Sequence, residues 1–76
     1  MAPRLPVVSG REAVGAFERA GWQVLRQRGS HIAMRKEDAR RPLVIPTHRE
    51  LRPGTLRGLI REAGLTVEQF IELLRR

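Results

Sequence analysis

The stretch Trp22-Gln23-Val24-Leu25-Arg26-Gln27-Arg28-Gly29-Ser30-His31-Ile32-Ala33-Met34-Arg35-Lys36 decides the fold. Trp22, Val24 and Arg26 alternate with Gln23, Leu25 and Gln27, a mixture of β-branched, aromatic and polar residues that reads as a strand. Arg28-Gly29-Ser30 is a turn signal. From His31 to Lys36 the alternation resumes, with Ile32 and Met34 on one face and His31, Ala33 and Arg35 on the other. Two antiparallel strands joined by a tight turn follow from this pattern.

Downstream, Glu37-Asp38-Ala39-Arg40-Arg41 reads as a polar turn, and Leu43-Val44-Ile45 as a short third strand. Pro42 and Pro46 bound it, which places it at a sheet edge, because a proline in a central ladder forfeits a hydrogen bond. Thr47 to Arg52 is a basic loop. Pro53 suits the first turn of a helix, and Leu56, Leu59, Ile60 and Ala63 recur with helical spacing up to Gly64. Thr66-Val67-Glu68-Gln69 matches a capping box ahead of a last helix with Val67, Phe70, Ile71 and Leu74 on its apolar face. Upstream, Ser9-Gly10-Arg11-Glu12 is another capping box, followed by Ala13, Val14, Phe17 and Ala20. Gly21 is placed to end that helix.

The expected order is α-β-β-β-α-α. A three-stranded meander cannot bury an apolar face alone. The fold class is therefore α+β, a three-stranded antiparallel sheet with helices on one face. Residues 1–8 read as a short tail and residues 9–76 as one domain. The opposite face of the sheet stays open, and Arg26, Arg28, Arg35 and Lys36 can populate it.

Composition narrows the function. Seventy-six residues suit a binding module or an enzyme with one or two catalytic side chains, not a multi-step cofactor enzyme. Fifteen Lys and Arg against eight Asp and Glu give a net charge of +7, which points to a polyanionic partner. There is no cysteine, so disulfides, thiol catalysis and cysteine zinc sites are excluded. No apolar stretch approaches the ~18 residues of a membrane helix, and prolines interrupt the N-terminal segment where a signal peptide needs an apolar run. A cytoplasmic location, with no membrane partner, is the expectation.

His31 and His48 are the two histidines, the residue type whose imidazole titrates near neutrality. Isolated histidines in small domains are mostly exposed or structural. His31 stands out because it follows Gly29-Ser30, where a bare glycine lets a phosphate approach, and because Arg26, Arg28 and Arg35 are near in sequence. A histidine among guanidiniums suits phosphodiester cleavage: the imidazole moves a proton and the arginines hold charge on phosphorus. Arg49, Arg52 and Arg57, around a loop and a helix start, are further phosphate candidates. Two histidines 17 positions apart make a weak metal case. Asp38 is the only aspartate, so no Ser-His-Asp set is arguable. Neither glycine-rich nucleotide motif is present. With one Trp, two Phe and no Tyr, an aromatic ladder for stacked bases is absent.

Gly29-Ser30-His31, Val44-Ile45-Pro46 with His48 two residues on, Pro53-Gly54-Thr55-Leu56-Arg57 and Ala63-Gly64-Leu65-Thr66 together resemble the HicA toxin family, small bacterial and archaeal mRNA interferases. The resemblance runs from about Ser9 to Leu74. It implies a fold like the double-stranded RNA-binding domain, ribosome-independent cleavage of mRNA and a cognate HicB-type antitoxin. The family's catalytic histidine maps onto His31. His48 maps onto the family's second histidine, and Thr55 onto a helix start with a phosphate contact. The implied chemistry needs no metal and no small-molecule cofactor. His31 deprotonates the ribose 2′-OH or protonates the leaving 5′-oxygen, and one product carries a 2′,3′-cyclic phosphate. RNA-binding candidates are thus Arg26, Arg28, Gly29, Ser30, Arg35 and Lys36, with His48, Arg49, Arg52, Thr55 and Arg57.

Two other readings stay open. The domain could bind RNA without cutting it, or only titrate an antitoxin. In the pure binder His31→Ala would barely matter, while loss of arginines would reduce affinity and its salt slope; the antitoxin-titrating relative would bind its antitoxin and cut no RNA.

Overall fold

Both capping boxes form, and they fix where two of the helices begin. In the first, the Glu12 amide donates to Ser9 Oγ at 3.0 Å and the Ser9 amide donates to Glu12 Oε1 at 2.8 Å. This satisfies donors that a helix start otherwise leaves free. Helix α1 then spans Gly10–Arg19 in a computed structural model, which describes residues 4–76. Residues 1–3 of the expected tail lie outside the described residues. Gly21, at φ +102°, turns the chain out of α1. The strands follow: β1 is Gln23–Arg28, β2 is His31–Arg35 and β3 is Leu43–Pro46. Helix α2 is Pro53–Glu62, with proline in its first turn, and α3 is Val67–Arg75, started by the Thr66–Gln69 box.

The sheet is antiparallel throughout, in the order β1-β2-β3. The proline-bounded β3 is an edge, as its sequence requires, and β2 is central. Ile32 and Met34 from β2 and Leu43 and Ile45 from β3 face the helices and are buried. Phe17 of α1 and Phe70 of α3 meet with ring centroids 5.3 Å apart and planes tilted by 47°. Such offset geometry favours aromatic pairs beyond their burial alone. Leu56 and Ile60 of α2 complete the deepest layer. Each such side chain contributes about 1.5–3 kcal/mol by leaving water. Arg19 ties α1 to α3 by donating to the Leu73 carbonyl at 3.1 Å. Trp22 joins the core, and its indole N–H is the one buried side-chain polar atom without a partner among the described residues.

Three details depart from the pattern read in the sequence. The last helix buries Phe70 and Leu73, whereas Val67, Ile71 and Leu74 are half-buried, so its inner face is rotated toward Leu73. Val8 and Leu51, outside any regular element, are 3% exposed, and the Leu51 amide donates to the Val8 carbonyl at 2.8 Å.

The third departure matters most. Strand β1 does not alternate simply. Val24 pairs with Met34, but Arg26 pairs with Ala33, leaving Leu25 as an extra residue in a β-bulge. A bulge shifts everything beyond it by one position, which moves side chains to the other face. Val24 therefore shares the helix side with Met34, while Arg26 and Arg28 join Ala33 and His31 on the open side.

Candidate nucleic-acid interface

The open face of the sheet is built in rows that the register defines. His31 of β2 lies between Arg28 of β1 and Pro46 of β3. In the next row, Ala33 lies between Arg26 and Val44. Arg35 lies beside Gln23 in the third. Directly opposed side chains have Cβ atoms about 4.5–5.5 Å apart, and diagonal neighbours about 7–8 Å, within reach of long side chains. Arg28 is thus the direct neighbour of His31 and Arg26 its diagonal neighbour. No carboxylate stands in these three rows. Small, half-buried Ala33 leaves a low point along the middle strand.

The turn before His31 is held by local contacts on both sides. Gly29 and Ser30 form a two-residue hairpin loop, with Gly29 at φ +53° and no positive-φ residue other than glycine among the described residues. Glycine at the first loop position with positive φ is the type II′ pattern, which matches the twist of the flanking strands. Gln27 Nε2 donates to the Gly29 carbonyl at 3.1 Å. Thr47 grips the other side: its amide and its hydroxyl both donate to the Ser30 carbonyl, at 2.8 and 3.3 Å. The Gly10 amide donates to the His48 carbonyl at 2.9 Å, which joins the loop after β3 to the start of α1.

One end of the sheet therefore gathers Arg28, Gly29, Ser30, His31, Thr47 and His48, with the imidazole-bearing residues exposed. Arg26 stands one row along the open face. Arg35 is four residues from His31 on the same strand, roughly 13 Å at about 3.3 Å per residue. Lys36 lies farther off: its aliphatic chain packs beside Gly21, and it is half-buried there. Arg49 and Arg52 are exposed in the loop leading to α2, where Arg52 occupies the N-cap position without a side-chain cap bond. Thr55 is exposed in the first turn of α2. Arg57 is not gathered with the others: it borders a groove with Leu65 and Thr66, at the junction of α2 and α3. Thr47 and the bulge at Leu25 went unread in the sequence. A threonine after Val-Ile-Pro gives no sign of its hydrogen-bond partner, and a bulge leaves no mark in an alternating pattern.

Among the described residues, no group of three or more His, Cys, Asp or Glu side chains converges as metal ligands would. Among the same residues, no helix is long and apolar enough to cross a membrane.

The fold and this face define a small, basic α+β domain with a histidine set among arginines on an uncovered sheet. The family profile described as the HicA toxin of bacterial toxin–antitoxin systems matches residues 10–65. That span covers all three strands and α2. The chain belongs to the HicA toxin family and is thereby a toxin of a toxin–antitoxin system. No curated protein matches the chain.

Proposed function

We propose that this toxin is an endoribonuclease that cuts mRNA independently of the ribosome, with His31 as the general acid-base group. The observation that carries the reading is the position of His31 on the open face, beside Arg28 and diagonal to Arg26, with no carboxylate in the surrounding rows. In the reaction, the ribose 2′-oxygen attacks phosphorus and loses its proton. The bond from phosphorus to the 5′-oxygen breaks, and that oxygen gains a proton. The products are a 2′,3′-cyclic phosphate and a free 5′-hydroxyl. An imidazole can take the first proton or supply the second, typically worth about 10²–10⁴-fold in rate. The guanidiniums of Arg28 and Arg26 neutralise charge that grows on the phosphoryl oxygens. The nucleophile belongs to the ribose, so the mechanism asks for no metal.

A HicB-type antitoxin is the partner that fits. An acidic surface laid on the arginine rows would cover His31 and match the charge of the face.

The test is direct. Purified protein is incubated with single-stranded RNA in the presence of a chelator, and product ends are read by mass spectrometry. Cyclic phosphate ends from the wild type, lost with His31→Ala at unchanged RNA affinity, are the expected result. Full activity in His31→Ala, or an absolute need for a divalent cation, would overturn the assignment.

A further inference from the structure

The open face is asymmetric across its width, and the asymmetry has a direction. On the β1 side of the central strand stand Arg26 and Arg28. On the β3 side stand Val44 and Pro46, and Pro42 precedes β3 on the same edge. Val44 is 49% exposed and offers apolar surface beside Ala33 on this face. The middle strand between the two sides dips at Ala33. At the far end from His31 lies a cleft of about 230 Å³, whose lining includes Leu25, Arg35, Arg40, Arg41, Pro42 and Glu37. Arg40 and Arg41 are exposed and belong to the connection between β2 and β3.

From this arrangement we infer that a single RNA strand lies along β2, with its phosphates toward β1, its bases toward β3 and its far end held in the cleft by Arg40 and Arg41. This rests on the ribonuclease reading and extends it to how the substrate is held. The charge supports the first part: guanidiniums line one side of the track, and no residue paired with β2 on the β3 side is charged. The second part follows from the exposed apolar surface of Val44 and the prolines, which a base can cover and a phosphate cannot. The cleft adds guanidinium planes beside apolar surface, the combination on which unstacked RNA bases rest. Length gives the footprint. His31 and Arg35 are roughly 13 Å apart at about 3.3 Å per residue. A stacked strand advances about 3.4 Å per nucleotide and an unstacked one more, so the far cleft engages a nucleotide within about four steps of the cut.

The experiment uses the full chain and an RNA series that keeps one scissile dinucleotide and lengthens on either side, up to about eight nucleotides in all. Wild type, Arg40→Ala with Arg41→Ala, and Val44→Ser are compared, with circular dichroism as the check on folding. For the wild type, kcat/KM rises roughly tenfold as the RNA grows long enough to reach the cleft. The double arginine variant cuts the shortest RNA as well as the wild type but loses that rise, and its salt dependence falls by about 0.7 in slope for each phosphate contact removed. Val44→Ser weakens binding at every salt concentration without changing the slope. A wild type whose rate is independent of length, or a double variant that keeps the whole rise, overturns the inference while leaving the ribonuclease reading intact. A wild type that cuts none of these RNAs overturns both.

Discussion

Thr47 holds Ser30 by two hydrogen bonds to one carbonyl, from its amide at 2.8 Å and its hydroxyl at 3.3 Å. Ser30 immediately precedes His31, so the end of β3 fixes the turn that presents the imidazole. Thr47→Pro removes both donors at once. We predict a loss of about 1–2 kcal/mol in stability and faster hydrogen exchange at the start of β2. Unchanged exchange there would show that the clip does not hold the turn.

A Cβ added at Gly10 would overlap the Pro46 carbonyl, so helix α1 and strand β3 meet there with no room for a side chain. Gly10→Ala is expected to cost about 1–3 kcal/mol by overpacking. Gly15 is the internal contrast. A Cβ there meets only Arg19 Nη1, at 3.6 Å, on an α-helical backbone. Gly15→Ala should therefore stabilise by roughly 0.5–1 kcal/mol. Urea denaturation of the two variants, read together, checks the opposite signs.

The bulge at Leu25 supplies a sharper test of how the charged face is made. Deleting Leu25 removes the extra residue, so Val24 opposite Met34 and Arg26 opposite Ala33 become consecutive and each keeps its face. Leu25→Ala keeps the register. The deletion is expected to keep Arg26 and Arg28 on the open face, to change binding of single-stranded RNA by less than about threefold and to leave the domain folded. Leu25→Ala should be mild in both respects. Fluorescence anisotropy with labelled RNA and thermal melting measure the two effects; a folded deletion variant that loses roughly tenfold or more in RNA binding would mean that Leu25 is not the extra residue.

The Phe17–Phe70 contact joins the first helix to the last across the middle of the core. Phe70→Ala leaves a cavity and should cost about 3–5 kcal/mol. A domain of this size has a total stability on the order of 4–11 kcal/mol. The thermal midpoint, followed by far-ultraviolet dichroism, should then fall by about 12–40 °C. Phe70→Leu, which keeps most of the volume, should retain the native signal.

Element order was legible in the sequence because each boundary has a local chemical cause. Ser9 with Glu12 and Thr66 with Gln69 mark helix starts, Gly21 and Gly64 mark exits, and Pro42 and Pro46 frame a strand. His31 was legible because Gly29-Ser30 announces a turn and the alternation after it fixes which face the imidazole takes. What escaped notice depends on pairing across the chain. The register slip at Leu25 is visible only when β2 lies alongside, and Arg40 and Arg41 read as ordinary turn residues until the fold brings Leu25 and Pro42 beside them. Arg57 shows the converse. Its neighbours in sequence suggested a phosphate contact, yet helical rotation turns it toward the α2–α3 junction.

All six residues of β1 are exposed, and with Val24 and Leu25 it forms an outer strand of the sheet. An outer strand of that kind is a template on which another copy of the chain can extend the sheet. The extra residue at Leu25 interrupts the straight run of free amides and carbonyls that such growth requires, and Arg26 and Arg28 beyond it would bring like charges together. A single inserted residue thus serves colloidal behaviour as well as the site: the strand that presents the arginines is also the one that would otherwise draw copies of the protein into aggregates.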